Sequence, residues 1–334
     1  MPATRRISFR LLVTCALFAP AIPQSVNAAE NGAGFYLLGS RGALAGVLPP
    51  PGLYFQNDVY LYSGVTGANV AIPFNGRIVA DVKANAVFEA PTLLWSTPLQ
   101  ILGGNLGLSA SLPTGGPVID AGVSLTGPRG NVISRDLHDS VFTVGDPVIA
   151  STVGWHAGNF HWSTGVTVNV PIGDYHPGAL ANIAFHRWGA DVFAAGTWLD
   201  PHLGIDLSGA VGVTFNGTNP VTDYTTGTEF HLELAASKIL SNGFQFGVIG
   251  YYYQQVTGDS GTGARLGDFM GRTIALGGTA AYTFKLDGRD ITTRVKVLRE
   301  FDVENRLEGT AGFLTVSFPI FVNAAPAKPV VTKY

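Results

Sequence analysis

The sequence predicts an all-β fold: a transmembrane antiparallel up-and-down β-barrel of about twelve strands. Three observations lead there. Apolar and polar residues alternate with period two over segments the length of a tilted membrane strand. Tight turns and long loops take turns joining those segments, as they do in bacterial barrels. No stretch after Ala29 approaches the ~20 uninterrupted apolar residues of a spanning helix. The pattern is clearest from Thr228 to Gln255. Phe230, Leu232 and Leu234 alternate with Glu229, His231 and Glu233, and after Ser241-Asn242-Gly243 the residues Phe244, Phe246, Val248 and Tyr252 oppose Gln245, Tyr251, Tyr253 and Gln255. A soluble sheet would need a second layer over the apolar face, yet the rest of the chain offers only more hairpins of the same kind. Lipid can cover that face, provided the sheet closes so that every backbone group is paired.

Residues 1–28 read as a secretory signal peptide. Arg5, Arg6 and Arg10 precede the apolar run Leu11 to Ala19, and Val26-Asn27-Ala28 offers a cleavage site. Three of the 20 basic residues and none of the 23 acidic ones leave with it, so the mature chain carries a net charge of about −6. Nothing in that balance invites nucleic acid. The one cysteine, Cys15, leaves as well, and with it any disulfide, thiolate metal site or cysteine nucleophile. Export combined with a barrel pattern places the chain in a bacterial outer membrane. Its expected partners there are outer-membrane lipid and lipopolysaccharide, the barrel-assembly machinery and small apolar solutes.

Residues 29–52 are too apolar to lie free in the periplasm. Phe35 and Tyr36 lead through Gly39 and Gly42 to Pro49, Pro50 and Pro51, which stiffen the segment and bar it from a central strand. It is expected to fold into the lumen as a plug, the alternative being a periplasmic collar or added edge segment. The barrel should occupy 53–321, with a periplasmic tail at 322–334.

Within the barrel, the expected tight turns are Ser96-Thr97-Pro98, Gly158-Asn159, Asp200-Pro201, Ser241-Asn242-Gly243 and Asp287-Gly288. Long loops fall at 64–76, 113–146, 172–186, 216–226, 257–269 and 302–308. The two classes alternate only if the strand-like piece Val118 to Leu125 belongs to an extracellular loop, which gives twelve strands with both ends periplasmic. Trp188 and Trp198 share one face of a strand and would sit roughly 25 Å apart along the membrane normal, the height of a lipid-facing band between aromatic girdles.

With apolar faces outward, the inward set becomes Tyr54, Asp58, Tyr60, Tyr62, Asp81, Lys83, His161, Asp191, Asp206, Glu229, His231, Glu233, Tyr251, Tyr253, Gln255, Arg294, Lys296 and Glu300. Such charges either pair across a narrow barrel and hold it closed or line a conducting path. Tyr60, Tyr62, Tyr251 and Tyr253 would lie toward the mouth and give an apolar solute its first foothold.

Enzymatic readings are weaker. A barrel hydrolase needs a serine activated by a histidine that a third polar group orients; His161 and Ser163 share a face, but Thr164 follows where a barrel phospholipase carries asparagine. Glu229, His231 and Glu233 lie ~6.6 Å apart along one strand, an awkward spacing for a metal. No catalytic residue, metal or other cofactor is called for, and the long loops lack an adhesin repeat.

The same segments carry a family resemblance. Gly46-Val47-Leu48-Pro49-Pro50-Pro51-Gly52, Ile101-Leu102-Gly103-Gly104-Asn105, Gly158-Asn159-Phe160-His161-Trp162, Pro171-Ile172-Gly173-Asp174-Tyr175, Tyr251-Tyr252-Tyr253-Gln254-Gln255-Val256-Thr257 and Glu300-Phe301-Asp302-Val303-Glu304-Asn305-Arg306 resemble the family named for the meta-pathway of phenol degradation. The resemblance spans nearly the whole mature chain. It implies an outer-membrane porin or transporter associated with catabolism of phenol and other aromatics, and it brings no catalytic residue. One departure is the end, where Val322 to Tyr334 follow Phe321 and leave the usual terminal aromatic internal. Together these readings predict passive uptake of small apolar or aromatic solutes. A narrow general porin whose acidic lumen prefers cations is the alternative.

Overall fold

The computed structural model describes residues 30–66, 71–74, 77–126, 132–268 and 270–322. The expected leader, 1–28, and all but Val322 of the expected tail lie outside them. Twelve antiparallel strands close into a barrel: β1 (Gly52–Val65), β2 (Arg77–Ile101), β3 (Gly104–Ser111), β4 (Val148–Ala157), β5 (Phe160–Asn169), β6 (Gly189–Asp200), β7 (Ile205–Asn216), β8 (Glu229–Ile239), β9 (Phe244–Gln255), β10 (Arg272–Leu286), β11 (Arg289–Glu304) and β12 (Glu308–Val322). Each strand pairs with its neighbour in sequence. β1 closes the ring by pairing with both β12 and β2, so this ring has no open edge.

Alternation survives folding with few exceptions. On β8 and β9, Leu234, Phe246 and Val248 are each more than half exposed on the outer face, while Glu229, His231 and Glu233 are buried on the inner one. Glu229 pairs with Gln255, His231 with Tyr253 and Glu233 with Tyr251, so the hairpin has the register its pattern demanded. Trp188 is exposed just before β6 and shares the outer face of that strand with the half-buried Trp198. Around the ring, Leu207, Val211, Leu276, Val295, Val297 and Leu314 extend the apolar exterior.

Two expectations are corrected. The first tight turn lies at Leu102-Gly103, not Ser96-Thr97-Pro98; β2 runs on to Ile101, and its ladder with β3 is interrupted between Ser96 and Gln100. A β-irregularity accommodates the missing N–H of Pro98, while Leu102 (φ 51°) and Gly103 (φ 81°) supply the left-handed pair that a two-residue hairpin turn needs. The second correction concerns Asp81 and Lys83, which are exposed and outward, whereas Val82 and Ala84 face inward. This part of the 25-residue β2 pairs with the strand Thr114–Thr126, which in turn pairs with Val132–Ser140. Where this loop hairpin takes the place of β3 beside β2, the apolar face no longer seeks lipid. It packs instead into a core of Ile72, Val79, Val82, Ala84, Ile119, Ala121, Leu180 and Ala181, leaving the polar face to water. The Val118 to Leu125 piece thus belongs to a loop hairpin, as the alternation of turns required.

Candidate functional site

The inner surface is built from the polar halves of these strands and from residues 30–52, whose contacts run from the long-loop end to the tight-turn end. Glu30 is buried among the loops. Its carboxylate accepts from Thr222 Oγ1 (2.8 Å), Asn219 Nδ2 (3.3 Å) and Arg187 Nη1 (3.5 Å). Phe35 packs over Gly189, where any Cβ would lie 2.5 Å from its ring. Tyr36 stacks on His231 at 3.6 Å between ring centroids, and its hydroxyl donates to Glu233 Oε1 (2.9 Å), which also accepts from Gly39 N (3.1 Å). Buried Lys296 donates to the carbonyls of Gly39 and Ser40 (2.5 and 2.7 Å). The Arg41 guanidinium covers the Phe193 ring at 3.6 Å.

Toward the tight turns, Leu44 N donates to Ser208 Oγ (3.0 Å) and Gly46 N to Thr197 Oγ1 (2.9 Å). Leu48 is seated against Gly107 and Gly154. Pro49 O accepts from Ser96 Oγ, and Pro50 O from the Tyr54 hydroxyl, both at 2.7 Å. Pro51 then leads into β1. The amides of Gly39, Leu44 and Gly46 thus find side-chain acceptors on the barrel wall, while those of Ser40, Ala45 and Val47 donate to carbonyls within the segment's own turns.

The remaining inward residues fall into local networks. His231 Nε2 lies 2.8 Å from Asp191 Oδ2, which also accepts from Thr214 Oγ1, and Gly212 leaves the room that the imidazole occupies. Glu229 accepts from the Tyr253 hydroxyl (2.6 Å) and Asn216 Nδ2 (3.0 Å). Thus Glu229, His231 and Glu233 each serve a different partner. Glu300 gathers the hydroxyls of Tyr251 and Tyr62 (both 2.8 Å) and Gly309 N. Asp206 accepts from Ser208 and Ser237. Asp58 accepts from Thr315 and Gln56, and Arg294 donates to Gln245 (2.9 Å). Tyr60 stacks on Tyr62 and meets Phe88 and Phe313.

Three placements differ from a mouth lined by accessible aromatics. Tyr251, Tyr253 and Gln255 are buried wall residues. Over the Tyr253 ring sits the Arg306 guanidinium, at 4.1 Å. His161 lies beside the β4–β5 turn, its Nδ1 2.6 Å from His156 Nδ1, so it engages a second histidine in place of Ser163. Sequence reasoning missed Arg306 and Glu30, because their roles arise in a loop and in the N-terminal segment, where strand parity says nothing.

Outside the membrane strands, Asp259 joins the loops. It accepts from the Tyr224 hydroxyl, Gly227 N (2.8 Å) and Gln255 Nε2 (2.6 Å). Burial pushes its carboxyl up to about 6 against the opposing pull of those three donors.

In comparisons with solved structures, the chain is similar to the COG4313 outer membrane channel from Pseudomonas putida F1, at 17% identity and a TM-score of 0.57, covering 81% of this chain and 96% of that one. It is more loosely similar to the β domain of the Bordetella autotransporter Brka, at 10% identity and a TM-score of 0.43 over 82% and 100% of the two chains. At these identities the likeness is one of fold, that of outer-membrane barrels. Comparison with curated proteins finds no match. Residues 68–316, most of the chain and nearly all of the closed ring, match the family described as putative MetA-pathway of phenol degradation. The chain therefore belongs to that family.

Proposed function

We propose that this protein is a passive outer-membrane channel for small apolar or aromatic solutes of the phenol type, with residues 33–48 as the gate in its lumen. Family membership supports the solute class, and the barrel's likeness to a channel supports passage. The observation that carries the gate is the set of bonds from Gly39, Leu44 and Gly46 to Glu233, Ser208 and Thr197 on the inner wall, together with the two carbonyls held by Lys296. A segment held by so many single hydrogen bonds to side chains is ordered, yet it can be released without breaking the barrel ladder. No cofactor enters this reading and no covalent step is needed. Deleting residues 33–48 and recording conductance in planar bilayers tests it: conductance should rise, and an unchanged value would remove the gate.

The alternative, a narrow cation-preferring porin, draws on the inward carboxylates Asp58, Asp191, Asp206, Glu229, Glu233 and Glu300, which outnumber Arg294, Lys296 and Arg306. Reversal potentials in a salt gradient separate the two. Strong cation selectivity with no response to phenol would favour the porin.

A further inference from the structure

The two halves of the inner wall are unequally covered. On β8 to β12, inward residues such as Glu233, Lys296, Leu298 and Phe313 are buried beneath the N-terminal segment. On β1 to β5, the inward residues Thr92, Ser109, Ser111, Thr152 and Thr167 remain partly accessible, and Gln56 is exposed although its side chain points inward. A residue that faces the lumen and still touches water borders open lumen. Ser109, Ser111, Thr152 and Thr167 are partly accessible and make no side-chain hydrogen bond to another described residue, whereas Thr197, Ser208 and Ser237 on β6 to β8 are buried and engaged, and Thr279 on β10 is buried though unpartnered. The segment's contacts explain the asymmetry. Arg41 is held over Phe193, Leu44 at Ser208 and Gly39 against Leu298 and Phe313, all away from β2 to β4. On that side its contacts lie at the tight-turn end, where Leu48 sits on Gly107 and Gly154 as a floor and Pro49 O accepts from Ser96 Oγ.

We infer that a crescent of open lumen runs between the N-terminal segment and the β1–β5 wall, and that it takes small monohydroxylated aromatic solutes while the segment stays in place. Its lining sets the alanines Ala90 and Ala150 among the hydroxyls of Ser109, Ser111, Thr152 and Thr167, which bond no other described residue. That surface suits a ring carrying one hydrogen-bonding group better than it suits an ion, which needs a fuller ring of ligands. The inference rests on the channel reading above and assigns the route of the smallest solutes past the docked segment, whose release widens the path.

The test locks the segment. The pair Leu44→Cys, Ser208→Cys is placed where the Leu44 amide donates to Ser208 Oγ at 3.0 Å, and the native cysteine, Cys15, lies within the expected leader. The oxidised protein in planar bilayers should still pass current, and added phenol should block it. Adding Ser109→Trp or Thr152→Trp should cut that current at least ~tenfold. Loss of all current on oxidation would overturn the crescent and leave the gate standing; equal current with and without the tryptophans would overturn it too. If neither the unlocked protein nor the 33–48 deletion shows phenol-sensitive current, the channel reading fails with it. Should the tryptophan variants not fold, Ser109→Cys alone, treated with a water-soluble methanethiosulfonate, decides the matter. Rapid labelling is expected there and not at Ser237→Cys, and equal protection of both would overturn the proposal.

Discussion

Lys296→Met isolates what holds the N-terminal segment in place. The ammonium is buried and donates to Gly39 O and Ser40 O, with the Phe313 ring 4.2 Å away. Methionine keeps the volume and an apolar contact with that ring but leaves both carbonyls without their donor. Hydrogen bonds to charged groups are worth about 1.5–3 kcal/mol each, and relief of the buried charge's desolvation argues for the lower figure, so the pair comes to about 3 kcal/mol. That corresponds to roughly a 100-fold shift in the docked-to-released ratio of the segment. Hydrogen exchange at the Gly39, Leu44 and Gly46 amides should speed up by about that factor in Lys296→Met, with strand amides unchanged, and open events in single-channel records should become more frequent. Lys83→Met, at an exposed outward position, is the control and should change neither. Wild-type exchange at those three amides in Lys296→Met would refute the reasoning.

Three further outcomes are expected. Gly154→Val would place a Cβ 2.5 Å from that of Leu48, an overpacking cost of about 1–3 kcal/mol, so the floor should lift and conductance increase; equal conductance in a folded variant would argue against a seated Leu48. Leu234→Arg, on the lipid face of β8, should lower unfolding free energy in phospholipid vesicles by about 2–4 kcal/mol, whereas a change below ~0.5 would mean that this face does not meet hydrocarbon. Because folding raises Asp259 from 3.8 to about 6, the folded loops bind the extra proton, and their anchorage is strongest near pH 4 and declines as pH rises to about 6. Proteolysis within 256–268 should therefore be slower at pH 5 than at pH 7, and Asp259→Asn should abolish the difference.

Much of this architecture was legible in one dimension because a membrane barrel obeys strict rules. Period-two alternation decides which side chains meet lipid, and the alternation of short and long connections decides strand number, so twelve strands and the exclusion of the Val118 to Leu125 piece followed from pattern alone. The inward orientation of Asp191, Glu229, His231, Glu233, Lys296 and Glu300 followed from the same parity. Parity failed where its premise did: Asp81 and Lys83 lie on a part of β2 flanked by a loop hairpin, where water replaces lipid and the faces exchange roles. It also misplaced the first turn, because a ladder irregularity accommodates Pro98 without ending the strand.

What the sequence determined by itself is therefore the barrel, since lipid on one side imposes a two-letter code on every strand. Only the tertiary structure decided how the inner residues are used. Which hydroxyls are engaged, which carboxylate holds Tyr36 and which carbonyls Lys296 reaches depend on the path of residues 30–52 through the interior. That path is set by single hydrogen bonds between residues some 150 to 260 positions apart, and separations of that order leave no periodic trace in the chain.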